Sequence, residues 1–268
     1  MGARLTYADR AARLFRAAGD HAREAEALTH VGTAYRQTGH FERADSQLTR
    51  AVELAASADD PGARAATHKA VGDLLFDQER LPDAAEEYAH ALRLWRRLGH
   101  RRHVAGVSRR LGKVERERGQ YDEAAMRLGE AAGLATAMGD RALAAAVQVG
   151  QGQLAQSAGQ ANAARHAFTQ AIRAFDTLGL VRRSGHAAAL QGLGELALAE
   201  GRVAAAVQML TDAADVWRCL AMPLRRARTL ATLGDAQVAC GHTEDAVATW
   251  QTVTDLRERT VVADSRTL

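Results

Sequence analysis

The sequence predicts an all-α fold, a solenoid of antiparallel helix pairs. Three observations predict it. A glycine recurs at Gly32, Gly72, Gly112, Gly152, Gly194 and Gly234, in steps of forty residues with one of forty-two. Alanine and leucine carry the apolar content, in long windows without β-branched runs. Finally, the 268 residues hold only three prolines and 4% aromatics, a poor composition for strands and for one large aromatic core.

The elements follow in chain order. Tyr7 to Asp20 reads as a lone second helix, with Ala11 in the alanine register and Gly19-Asp20 matching the later Met138-Gly139-Asp140. The chain thus opens on a half repeat, residues 5–20. Six full units follow, near 21–60, 61–100, 101–140, 141–180, 181–222 and 223–258. Within each unit the first helix (helix A) carries the recurrent glycine. Seven residues later comes a turn position, Gly39, Glu79, Gly119, Gly159, Gly201 and Gly241, where a left-handed C-cap is needed. Helix B then carries alanine at Ala44, Ala84, Ala124, Ala164, Ala206 and Ala246, and a second series at Ala51, Ala91, Ala131, Ala171 and Ala213 that ends in Val253. Between the two alanine series stands a large residue, Leu48, Tyr88, Leu128, Phe168, Leu210 or Trp250. Small residues let the helices of a pair approach, and the large one fills the space between successive pairs.

No linker rich in Ser, Gly or Pro interrupts the array, so residues 1–258 read as one domain and 259–268 as a polar tail. No further helix is expected to cover Val247 and Trp250. Solenoid ends need a polar cap. Two expectations follow from a chain that opens in mid-repeat and ends this way: a piece of a longer regulator, or an end that pairs with another copy. An adequately polar last helix is the plain alternative.

Lys+Arg at 35 against Asp+Glu at 32 gives a charge of +3, which does not indicate bulk nucleic-acid binding. The dominance of arginine, with lysine only at Lys69 and Lys113, looks like the codon usage of a GC-rich actinobacterial genome. Cys219 and Cys240 lack metal or disulfide spacing. Residues 1–16 carry charges where a signal peptide needs an apolar core, and no apolar run spans a membrane. A cytoplasmic protein without cofactor or metal is expected.

The repeat pattern resembles the tetratricopeptide repeat. It does so through the small residue of helix A, the turn Gly119-Gln-Tyr-Asp-Glu-Ala124, and the helix B alanine. The longer unit, with its Leu98-Gly99 and Met138-Gly139-Asp140 endings, looks like a forty-residue variant found in bacterial signalling proteins and in the C-terminal arrays of large actinobacterial transcriptional regulators. The resemblance implies a right-handed superhelix that binds a partner in a concave groove lined by helix A. The sequence departs from the pattern in two ways. The helix A aromatic survives only at Tyr35, with Leu75, Glu115, Ala155, Ala197 and Gln237 elsewhere, and the closing proline of helix B is missing.

Positions three before, one after and four after the repeat glycine share one helix face and are expected to line that groove. They read Thr29, Thr33 and Arg36; Lys69, Asp73 and Phe76; Arg109, Lys113 and Arg116; Val149, Gln153 and Gln156; Gln191, Glu195 and Leu198; Ala231, Asp235 and Val238. Arg36, Lys69, Asp73, Phe76, Arg109, Lys113, Arg116, Gln153 and Gln156 are the candidate binding residues. The cations among them suit an acidic peptide or the acidic face of a protein, through charge-assisted hydrogen bonds. The plainer reading is a solvated surface in which Lys69 and Asp73 form an ordinary i,i+4 pair. The carboxylate clamp of chaperone-binding relatives is not present, because Thr29, Thr33 and Ala70 occupy its positions.

Catalysis finds little footing. Gly192-Leu-Gly194-Glu-Leu-Ala197 fits a dinucleotide fingerprint in letters only, since it lies inside a helix rather than at a strand-to-helix turn. His100 and His103 sit among arginines, read as solvated loop residues, and Ser46, Ser108 and Ser157 are placed on helix surfaces. No catalytic residue is assigned. The expected function is a protein-interaction and regulatory scaffold; a peptide or small-ligand receptor that uses the groove as a pocket is the alternative. Pairing of two copies through the uncapped ends is also expected to be possible.

Overall fold

A computed structural model describes residues 2–265, and among these residues the chain is all-helical. Two compact units emerge, Met1–Leu134 and Ala135–Leu268, each a stack of helix pairs.

Unit 1 begins with α1 (Gly2–Ala18), followed by α2 (His21–Thr38) and α3 (Phe41–Ser57), α4 (Pro61–Asp77) and α5 (Leu81–Arg97), then α6 (Arg101–Glu117) and most of α7 (Tyr121–Ala137). Unit 2 holds α8 (Arg141–Ser157) and α9 (Ala161–Thr177), α10 (Ser184–Ala199) and α11 (Val203–Cys219), α12 (Pro223–Ala239) and α13 (Thr243–Ser265). A seventeen-residue helix is about 25 Å long. At that length isolated helices are marginal in water, and packing supplies most of their stability.

The turns are encoded locally. Asp20, Asp60 and Asp140 accept hydrogen bonds from the first-turn amides of Arg23, of Gly62 and Ala63, and of Leu143, which satisfies donors that a helix start leaves open. His100 stands where the forty-residue register places those aspartates, and α6 has no side-chain cap. Helix ends close through a left-handed residue. Gly39 (φ 88) donates to the Arg36 carbonyl, and His40 to that of Tyr35. Glu79 takes φ 62 at the one A-to-B turn without glycine. The forty-two-residue step is absorbed between α9 and α10, where Leu178 to Arg183 separate the helices.

Packing follows the small-and-large division. Leu48, Tyr88 and Leu128 in unit 1 and Phe168 and Leu210 in unit 2 are each 2% exposed or less, and the two alanine series are buried beside them. Each such large side chain contributes about 2 kcal/mol through burial. The repeat glycines make room for them: a Cβ at Gly152 would stand 2.7 Å from the Phe168 ring, and one at Gly194 2.8 Å from Leu210 Cγ. Gly192 abuts the same Phe168 ring, so the fingerprint-like Gly192-Leu-Gly194 serves helix packing.

Two expectations are corrected. The last helix does not stop near Glu258 but continues to Ser265, because Val261, Val262 and Ala263 keep an apolar, helix-compatible sequence after Arg259 and Thr260; residues 266–268 lie outside the described part. Ser108 is not on a surface. It is fully buried, and its hydroxyl donates to Glu130 Oε2 at 2.9 Å.

Candidate functional site: the helix A face

In unit 1 the faces of α2, α4 and α6 bring together most of the predicted residues. Their centre is Asp73, one residue after the repeat glycine of α4 and buried to 2%. Its carboxylate is held from four sides. Arg110 Nη1 of α6 lies 2.5 Å from Oδ1, and the Tyr88 hydroxyl of α5 donates to the same oxygen at 2.6 Å. Lys69 Nζ stands 2.9 Å from Oδ2, with Arg36 Nη2 of α2 at 4.0 Å. Arg36 also pairs with Asp77. The expected Lys69–Asp73 pair therefore exists, as one spoke of a cluster that ties three A helices and one B helix together.

The local reason is Tyr88. It occupies the large-residue position that is apolar in the other units, and its ring packs against Gly72. A phenol there needs a partner for its O–H when buried, and Asp73 supplies it.

The electrostatics follow from the geometry. Burial pushes the Asp73 carboxyl up, but Arg110, Lys69, Arg36 and the Tyr88 hydroxyl together outweigh it and hold it well below the usual carboxylate range. The Arg110 charge, with help from burial, lowers Lys69 against the pull of Asp73. Burial and the Asp73 charge raise Tyr88. Arg110 is itself raised: the cost of its burial is more than offset by Asp73 and Tyr88.

The remaining predicted residues are placed as follows. Lys113 Nζ sits 3.9 Å from the centroid of the Phe76 ring, a cation–π contact between α6 and α4. Arg116 pairs with Glu117 at 2.6 Å. Arg109 is half-buried; its Nε is enclosed and hydrogen-bonds to nothing. Burial and then the adjacent Arg110 charge pull it down to about 10, against an attraction to Asp73. In unit 2 the face is neutral to acidic. Gln156 donates to Glu195 at 3.0 Å, Gln191 donates to Glu195 at 2.8 Å, and the Thr229 hydroxyl donates to Gln191 at 2.8 Å, a ladder across α8, α10 and α12; Gln153 is half-buried beside it on α8.

Arg110 and Asp77 escaped the sequence rule. They lie two before and five after their repeat glycines, one position off the chosen stripe, and only the helix packing turns Arg110 toward Asp73 and Asp77 toward Arg36. The tyrosine at position 88, alone polar in its series, was the available signal. His100 and His103 are exposed, though His103 is part of α6 and stacks on Trp95 at 4.2 Å between ring centroids. Among the described residues no cluster of His, Cys, Asp or Glu could hold a metal ion, and no helix is long and apolar enough to cross a membrane.

Helices A and B alternate, with the small residue of A opposite the large residue of B. Residues 63–137 and 25–57 match tetratricopeptide-repeat family models. No curated protein matches the chain in sequence. Among solved structures the chain is similar to a Rap protein complexed with Competence and Sporulation Factor (14% identity, 90% of this chain and 76% of that one, TM-score 0.67). It is also similar to NprR in complex with its cognate peptide NprX (13% identity, 87% and 68%, TM-score 0.66). A third is a signal-transduction ATPase with a tetratricopeptide-repeat sensor from Pyrococcus horikoshii (15% identity, 90% and 37%, TM-score 0.57). These likenesses establish the fold, a solenoid of tetratricopeptide-like helix pairs.

Proposed function

We propose that the chain is an interaction scaffold that holds an acidic segment of a partner protein against the helix A face of unit 1, as the receiving part of a bacterial signalling or transcriptional regulator. The observation that carries this reading is the convergence of Arg36, Lys69, Arg109, Arg110, Lys113 and Arg116 from three helices onto one face that also offers the Phe76 ring. Charge-assisted hydrogen bonds from such a set, in a partly desolvated site, bind carboxylates better than the same charges scattered in water. The similar Rap and NprR structures hold a signalling factor and a peptide on the same fold, and the similar ATPase carries its repeats as a sensor, which supports a regulatory setting.

The test is a display selection of random twelve-residue peptides on the full chain, followed by cross-linking of the selected peptides and mass mapping. Enrichment of Asp and Glu, with cross-links on α2, α4 and α6, is the expected result. Neutral or basic consensus peptides, or cross-links confined to helices B, would sink the reading. For the second surface, where Val247 is 47% and Trp250 38% exposed, we propose pairing with another copy of the chain. Sedimentation should show a concentration-dependent dimer that Trp250→Gln abolishes.

A further inference from the structure

Four cations, Arg36, Lys69, Arg109 and Arg110, surround the carboxylates Asp73 and Asp77 at the centre of the unit 1 face, and three of the four pair with them. Asp73 already faces three cations: Oδ1 takes Arg110 and Tyr88, and Lys69 and Arg36 stand 2.9 and 4.0 Å from Oδ2. Asp77 is held by Arg36. Arg109, next to Arg110 in sequence, makes no ion pair and no side-chain hydrogen bond among the described residues, and its Nε is buried without a partner.

Native structures rarely leave a buried guanidinium nitrogen unsatisfied, because the desolvation of a charged donor is then uncompensated. Arg36, Arg165 and Arg226 enclose an Nε in the same way, but of the four cations around Asp73 only Arg109 also lacks an ion pair among the described residues, and such a group can receive an anion that arrives later at the expense of stability in the unbound state. Arg110 repels Arg109, and the nearby carboxylates Asp73 and Asp77 are already paired with other cations. Arg109 keeps only a minor part of its side chain exposed, and the Lys113–Phe76 pair of the same helices lies one turn further along.

We propose that Arg109 is the anion-accepting residue of this face, taking a side-chain carboxylate of the bound segment, whereas Arg36, Lys69 and Arg110 are structural cations that serve Asp73. This assignment rests on the peptide-holding reading and divides its basic residues into two kinds. The guanidinium fork suits the two oxygens of a carboxylate. The incoming aspartate or glutamate supplies the counter-charge that the cluster lacks.

The experiment uses the full chain, a fluorescein-labelled decapeptide of alternating Glu and Ala, its Gln-for-Glu counterpart, and thermal unfolding of the unbound protein. Wild type should bind the Glu peptide at least tenfold more tightly than the Gln peptide. Arg109→Met should lose at least tenfold in affinity for the Glu peptide with an unchanged or raised Tm, whereas Arg110→Met should lower Tm by several degrees. Arg101→Gln removes the same charge from an exposed site on α6 and should change affinity less than twofold. If Arg109→Met binds as wild type does, or melts several degrees lower, the assignment is wrong while the peptide reading stands. If wild type itself does not distinguish the two peptides, the acidic-segment reading fails, and this one with it. Competition by millimolar inorganic phosphate, equal to that of the Glu peptide, would overturn the carboxylate in favour of a phosphate ligand.

Discussion

Asp73 shows how one residue can be indispensable without touching a ligand. Its carboxylate is the common counter-ion of Lys69, Arg36 and Arg110, so Asp73→Asn leaves three cations facing one another in a buried site. Breaking a buried charge set in this way costs about 3–5 kcal/mol, to be measured by urea unfolding. The pH dependence has a definite sign. The folded-state pKa lies below the ordinary 3.8, so the contribution is complete above that value and is lost as pH falls through the lower folded one. Wild-type Tm should therefore decline below about pH 4, with a slope that Asp73→Asn lacks. Backbone conformation offers a second residue-scale prediction. Ala221 (φ 53) and Glu79 (φ 62) hold left-handed turn positions that glycine occupies in most other units. Left-handed backbone costs a side-chain-bearing residue about 1–2 kcal/mol, so Ala221→Gly and Glu79→Gly should each raise stability by about 1 kcal/mol.

At the scale of the element, a helix A is legible where the sequence repeats and illegible where it interacts. Helix starts at His21, Pro61, Arg101 and Arg141 fall on the predicted forty-residue register, because caps, turn glycines and the small-residue stripe are local. Which residues of α4 and α6 meet was not legible to the same degree. The predicted stripe held Arg109 and missed Arg110, because a rotation of about 100° per residue separates neighbours that sequence spacing treats as near equivalents. The packing half of the pattern makes its own prediction. A Cβ at Gly152 would press on Phe168, which already fills the space between α8 and α10. Gly152→Ala should destabilise by about 1–3 kcal/mol, and Phe168→Leu in the same chain should recover part of the loss, since each change alone is felt through one shared contact.

Over the whole chain, order comes from neighbours. Among the described residues, contacts inside each unit join consecutive helices or alternate helices such as α2 with α4 and α8 with α10, and a solenoid's stability is a sum of such nearest-neighbour terms. Damage should stay where it is made. Hydrogen exchange on Gly152→Ala is expected to show faster opening of α8, α9 and α10 with α2 to α5 unchanged; a uniform loss of protection would argue for a single cooperative core.

By itself, the sequence determined the class of fold, the turn positions and the division between small and large packing residues. All of these depend on residues within one repeat, and the repeat states them six times. Only the tertiary structure decided what the charged face amounts to. It buried Asp73 under Tyr88, turned Arg110 inward, and left Arg109 without a partner, because these outcomes depend on how the side chains of three successive A helices and one B helix share a space. A carboxylate's surroundings are set by residues up to about forty positions away, and no local pattern records them.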